Sequence, residues 1–175
     1  MAKLKKFEIL SAVATIIVGS LFHFVFAWSG DWHPLALIVA VNESTWEHLK
    51  LAFWPAFIFA TIAYSTFARK DPSFCLAQAV KLLLMPLLII VIFYSSKLLM
   101  VESLVVDILN FMVSVIIGHI VAYKIEAMKK LWELKTVSAI VIVLLLLVFS
   151  LFTYYPPKNF LFLDPVSGGY GIINQ

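Results

Sequence analysis

The stretch TVSAIVIVLLLLVFSLFTYY, residues 136–155, runs for a full helix-length without one charged side chain. At 1.5 Å of rise per residue it matches the roughly 30 Å of hydrocarbon in a bilayer. Four other stretches behave in nearly the same way, at about 7–28, 48–68, 74–96 and 103–123. A water-soluble fold would have to bury each of them on every side, and the 175-residue chain has too little sequence left over to do so. Composition agrees, with 63% hydrophobic residues, 13% charged ones and a mean hydropathy of +1.01. The expectation is an all-α integral membrane bundle of five transmembrane helices, with residues 1–175 forming one membrane domain. The first apolar stretch follows the basic start Met1–Lys6, but it is about twice the length of a signal-peptide core and is read as a retained helix.

Charge sets the expected orientation. Lys3, Lys5, Lys6, Arg69, Lys70, Lys124, Lys129, Lys130 and Lys135 fall on one side of these spans, and only Lys50, Lys97 and Lys158 on the other. Basic residues concentrate in cytoplasmic loops, so the N-terminus is expected inside and the C-terminus outside a multi-pass protein of the cell membrane. This distribution explains the net charge of +3 better than a nucleic-acid partner does. The segment KIEAMKKLWELK between the last two spans mixes lysines with Leu131, Trp132 and Leu134. It reads either as an interfacial helix or as a solvated turn.

On the opposite side the sequence NESTWEHLK, residues 42–50, gathers charge between apolar stretches. Residues 29–47 hold three acids, Asp31, Glu43 and Glu47, with no lysine or arginine. Pro34–Val41 is too short to span and is expected to dip into the interface or form a re-entrant turn. Ser44-Thr45-Trp46-Glu47 has the spacing of a capping box, and Lys50 lies three residues beyond Glu47, so a cap with an ion pair accounts for Glu47 alone. It does not account for Glu43 and His48.

Within the spans, Ser11, Thr15, Gly19 and His23 recur every four residues, as do Asn110, Ser114, Gly118 and Ala122. Small residues at that spacing let helices approach closely, within one chain or between copies in a homo-oligomer. His23 lies about 7 Å and Asp107 about 6 Å below the same surface, taking 1.5 Å per residue. Burying Asp107 at a helix centre would cost about 2.5–3.5 kcal/mol, which favours a partner, and His23 is the expected one. The expected site is therefore an outward-facing polar pocket of His23, Glu43, Glu47, His48, Asp107 and Asn110. The tail stretch FLFLDPVSGGYG is expected to fold over its mouth and bring in Asp164. His119, Gln78 and Lys81 belong to a minor inner group, with Lys81 snorkelling to the interface.

Across the whole chain the sequence resembles a family of small prokaryotic integral membrane proteins of unknown function. The resemblance rests on His23-Phe24, Trp28-Ser29-Gly30, the block Asn42–Lys50 and Asp164–Ile172. It implies a polytopic fold and an important outer site, and it implies no activity.

Three functions compete. A ligand-binding, sensing or accessory protein, with a lipid or small molecule in the pocket, is the leading expectation. A metal-assisted hydrolase or lipid-modifying enzyme is the second, since His23, Glu43, Glu47 and His48 are suitable ligands for a divalent ion such as zinc, iron or manganese. No His-Glu-x-x-His motif is present and the single Cys75 falls at the wrong face. A proton-linked transporter using Asp107, His23 and His119 is the third.

Overall fold

The computed structural model describes residues 2–101, 103–128 and 134–172. Five helices, α1 (Ala2–Trp28), α2 (Thr45–Ala63), α3 (Phe74–Leu98), α4 (Leu104–Met128) and α5 (Lys135–Tyr154), make up most of it. A π-helical turn, Tyr64–Ala68, prolongs α2. Each of the five is long and apolar enough to cross a membrane. An isolated bridge, Leu163 to Tyr170, is the extent of β pairing among the described residues. Most of the segment between α4 and α5, including Leu131 and Trp132, lies outside the described residues.

Burial ranks the helices. Over an apolar 18-residue stretch of each span, half of the residues are buried in α2 and 44% in α3, against 17% in α5. The reason is positional: α3 packs on α2, α4 and α5, and α1 packs on α2 and α4. The outward faces carry Ile9, Val13, Ile17, Val91, Ile140 and Leu144, all exposed. Apolar side chains on the rim of a bundle are what lipid contact requires. The small residues sit where helices come closest. A Cβ on Gly19 would collide with the carbonyl oxygen of Leu51 and come within 2.9 Å of the Phe111 ring. One on Gly118 would run into Met85.

The segment before α2 is a short 3-10 helix, His33–Leu37, with Ala36 and Val39 fully buried. It stays compact because a buried lysine ties it down. Lys50 donates to the carbonyl of Ala36 (2.7 Å) and to Thr153 Oγ1 (2.8 Å), and its ammonium lies 2.5 Å from Glu47 Oε2. Glu47 in turn accepts from the Val41 amide (3.1 Å) and from Thr153 Oγ1 (3.0 Å). Four pieces of chain thus meet on one ion pair: the 3-10 helix, the strand of loop at Val41, α2 and α5. Ser44 caps α2 by accepting from the Glu47 amide at 3.4 Å, the first half of the expected capping box. The Glu47 side chain does not return to Ser44; it turns inward to Lys50.

The tail folds back as its composition suggests. Phe162 is buried and stacks on Trp46 with ring centroids 4.6 Å apart, while Trp46 also stacks on Phe149 of α5 at 4.8 Å. The Trp46 amide donates to Leu161 (2.9 Å), and the Asn42 side chain donates to the carbonyl of Gly171 (2.8 Å). Aromatic pairs of this kind add about 0.5–1.5 kcal/mol beyond area burial.

Breaking a buried ion pair from one side strands a charge, so Glu47→Ala is expected to cost about 3–5 kcal/mol. Glu47→Gln and Lys50→Met combined should cost less than the sum of the two singles, by about 1–3 kcal/mol. Thermal unfolding in detergent measures both, and strictly additive losses would contradict the pairing.

Candidate functional site at the loop end of α2

Glu43 and His48 point the other way from Glu47. The cap at Ser44 fixes the first turn of α2, and one residue of helical rotation, about 100°, separates His48 from Glu47. Glu47 therefore faces the core, and His48 faces α1. There it meets His23, whose Nε2 lies 3.2 Å from His48 Nε2. Glu43 Oε2 lies 3.5 Å from each of those nitrogens. Three side chains from α1, the loop and α2 converge on one point.

The tautomer of His48 follows from its other nitrogen. Nδ1 lies 2.9 Å from the carbonyl oxygen of Ser44, which can only accept, so Nδ1 carries a proton. In the neutral ring Nε2 then presents a lone pair toward His23 and Glu43. A carboxylate oxygen and an imidazole lone pair aimed at one point repel each other unless positive charge lies between them. Protons on the rings supply that charge in one case, and a metal ion in the other. Backbone bonding of the remote ring nitrogen is also the arrangement that orients metal-binding histidines. The His48 side chain beside Glu43, helped by the His23 charge, holds the Glu43 carboxyl below the usual carboxylate range.

The three side chains are partly open to their surroundings, with His23 30%, His48 33% and Glu43 47% exposed. Of the residues expected to share a pocket, these are the three that the fold brings together. Glu47 is buried in the Lys50 network. Asn110 donates to the carbonyl of Ile89 (3.0 Å) and accepts from Ser114 (3.1 Å), joining α3 to α4. Asp164 spends its carboxylate on its own turn, accepting from the Val166 and Ser167 amides and the Ser167 hydroxyl. Asp107 lies exposed in the first turn of α4. His23 hydrogen-bonds to His48, a partner that depth along the helices does not indicate.

A second cluster lies at the opposite end of the bundle, and it is larger than its expected members. Glu8, Gln78, Lys81, His119 and Glu126 are all buried. Lys81 pairs with Glu8 at 3.1 and 3.3 Å instead of snorkelling, because a carboxylate is available inside. Glu8 also accepts from Gln78 (2.9 Å) and from His119 Nδ1 (2.5 Å), and Gln78 reaches Glu126 at 3.1 Å. Glu8 and Glu126 escape a reading that begins the small-residue stripes at Ser11 and ends them at Ala122. One further helical turn at each end finds both: Glu8 lies three residues before Ser11 and Glu126 four after Ala122.

A carboxyl whose ionised form is favoured in the fold contributes stability above its unfolded-state value, and loses it as pH falls through the lower folded value. Wild-type protein is therefore expected to lose stability on acidification below the ordinary carboxylate range, about pH 4.3. Glu43→Gln should lose less over that window. Melting temperature against pH for the two proteins checks this, and parallel curves would contradict it.

No curated protein and no solved structure matches the chain. A family model does, over residues 1–172. That match covers all five helices, the His23–Glu43–His48 group and the folded-back tail, so the chain belongs to the family of unknown function DUF6512.

Proposed function

We propose that this is a zinc-binding membrane protein whose ion is held by His23 Nε2, His48 Nε2 and a Glu43 carboxylate oxygen. The observation that carries the reading is the triangle of 3.2, 3.5 and 3.5 Å between those atoms. Tetrahedral ligation at 2.0–2.1 Å sets neighbouring donor atoms about 3.3–3.4 Å apart. Octahedral ligation at the same bond length sets them about 3 Å apart, which fits less well. Two imidazoles and one carboxylate also suit zinc better than magnesium or calcium, which prefer all-oxygen shells.

Three protein ligands leave a fourth position, and the partial exposure of all three side chains opens it to the surroundings. Closed structural zinc sites use four protein ligands, whereas sites that keep one position for water or a ligand use three. By the charge distribution this face is the extracytoplasmic one. Its function is then to take a small molecule or lipid headgroup on the ion. Hydrolysis is the second reading, favoured by that open position, because zinc lowers the pKa of a bound water to about 7. In that role Glu43 and the histidines hold the ion, and the Ser44 carbonyl keeps His48 in the ligating tautomer.

Metal analysis of protein purified without chelator tests the binding. One zinc per chain is expected in the wild type, with loss of most of it in His48→Ala and in Glu43→Ala, and full retention in Asp164→Asn. Binding should also weaken with acidification, since the ion displaces protons from the imidazoles. Failure of the wild type to bind added zinc, or retention by both ligand variants, would overturn the reading. Turnover of an ester or phosphoester that stops on chelation and returns with zinc would mark the ion as catalytic.

A further inference from the structure

The cluster at the other end of the bundle is not used by the zinc reading and stands independently of it. Glu8 and His23 are fifteen residues apart on α1, about 22 Å along the axis. The hydrogen-bond supply of its two carboxyls is unequal. Glu8 accepts from Lys81 at both oxygens, from Gln78 and from His119. Glu126 is just as buried, yet among the described residues it receives one donor, from Gln78 on Oε1, and its Oε2 has no partner. An ionised oxygen buried in that condition is costly, and a neutral carboxyl is much less so.

Two further observations point to a proton. One amide nitrogen, Gln78 Nε2, donates to Glu8 Oε1 (2.9 Å) and to Glu126 Oε1 (3.1 Å), so the two carboxyls sit side by side, and like charges that close disfavour ionising both. In addition, His119 Nε2 and Gln78 Oε1 are buried without partners. With Nδ1 donating to Glu8, the neutral His119 ring offers Nε2 as an acceptor, and an amide oxygen is always one. The same group therefore holds a carboxyl that needs a proton and two acceptors that lack one.

Among the described residues the charges around it come from four helices and a loop. Glu8 faces it from α1, Lys81 from α3 and His119 from its own helix α4, while Asp71 of the α2–α3 loop acts on it through its charge. Lys135, at the start of α5, lies over the Tyr64 ring. One ammonium inside the cluster balances one carboxylate, and the second carboxyl is neutral only with a proton. Glu126 sits two residues from the end of α4, while His119 is about 10 Å deeper. The group thus runs from the helix end inward, and the unpartnered hydroxyls of Ser11 and Thr15 continue along the same face of α1.

We propose that Glu8, Gln78, His119 and Glu126 form a buried site that binds one exchangeable proton, carried by Glu126 beside the ionised Glu8 and reached by water from the α2–α3 loop end of the bundle. The proton enters as hydronium delivers it to Glu126 and leaves to water by the same route, with no other bond made or broken. Lys81 remains paired to Glu8 throughout and keeps that carboxylate ionised.

Infrared spectroscopy of the full chain in lipid nanodiscs tests this. At neutral pH the wild type should show a protonated-carboxyl C=O band that moves to lower frequency in D2O. Glu126→Gln should abolish it, and Glu126→Asp, which keeps a carboxyl, should retain it at a changed frequency. Absence of the band at neutral pH would overturn the proposal, as would its survival in Glu126→Gln. A band unmoved by D2O would show that the proton does not exchange. If Glu126→Gln does not fold, a band unchanged in Glu126→Asp overturns the assignment instead.

Discussion

The contact between Lys50 and Glu47 organises the loop end of the molecule. Two charges taken fully out of water cost several kcal/mol each, and their attraction offsets this only when every remaining lone pair and proton finds a partner. Here each does. The ammonium has Glu47, the Ala36 carbonyl and the Thr153 hydroxyl, and the carboxylate has the Val41 amide as well. Because the partners come from four separate pieces of chain, the pair fixes where the 3-10 helix sits, how α2 starts and how α5 ends against it. Direction follows from that. With Glu47 committed inward, helical geometry leaves His48 facing α1 and Glu43 in the open, where His23 completes the group.

The molecule is therefore polar at both ends and small-sided between them. Gly19 allows α1 to touch the backbone of α2, and Gly118 allows α4 to close on Met85 of α3. That close approach is what places side chains from different helices within bonding distance at either end. The two ends differ in kind. The His23 group is half-open and made of ligating atoms. The Glu8 group is closed and built around a salt bridge.

Much of this was legible beforehand. The five spans announce themselves through length and hydropathy, the Ser44 cap through its spacing, and the folded-back tail through Phe160–Phe162 between turn residues. The pairing of Glu47 with Lys50 was also readable from i, i+3 spacing, though it competed with a place for Glu47 in the pocket. What a linear pattern does not carry is which of two adjacent polar residues turns inward. Glu47 and His48 differ by one helical step, and the choice between them is made by Ala36 and Thr153, which carry no signal in the sequence. Depth along a helix is incomplete for a related reason. It puts His23 level with Asp107, but depth does not say which neighbouring helix a side chain faces, and α1 presents His23 to His48 of α2. Lys81 reads as an edge residue until Glu8, one helical turn before Ser11, supplies its counter-ion.

The most direct test of the account is anomalous X-ray scattering at the zinc edge from crystals grown with zinc. One peak about 2.0–2.1 Å from Nε2 of both His23 and His48, with a Glu43 oxygen completing the triangle, is the expected result. A map without density between those three side chains, or with the ion bound elsewhere on the protein, would contradict it.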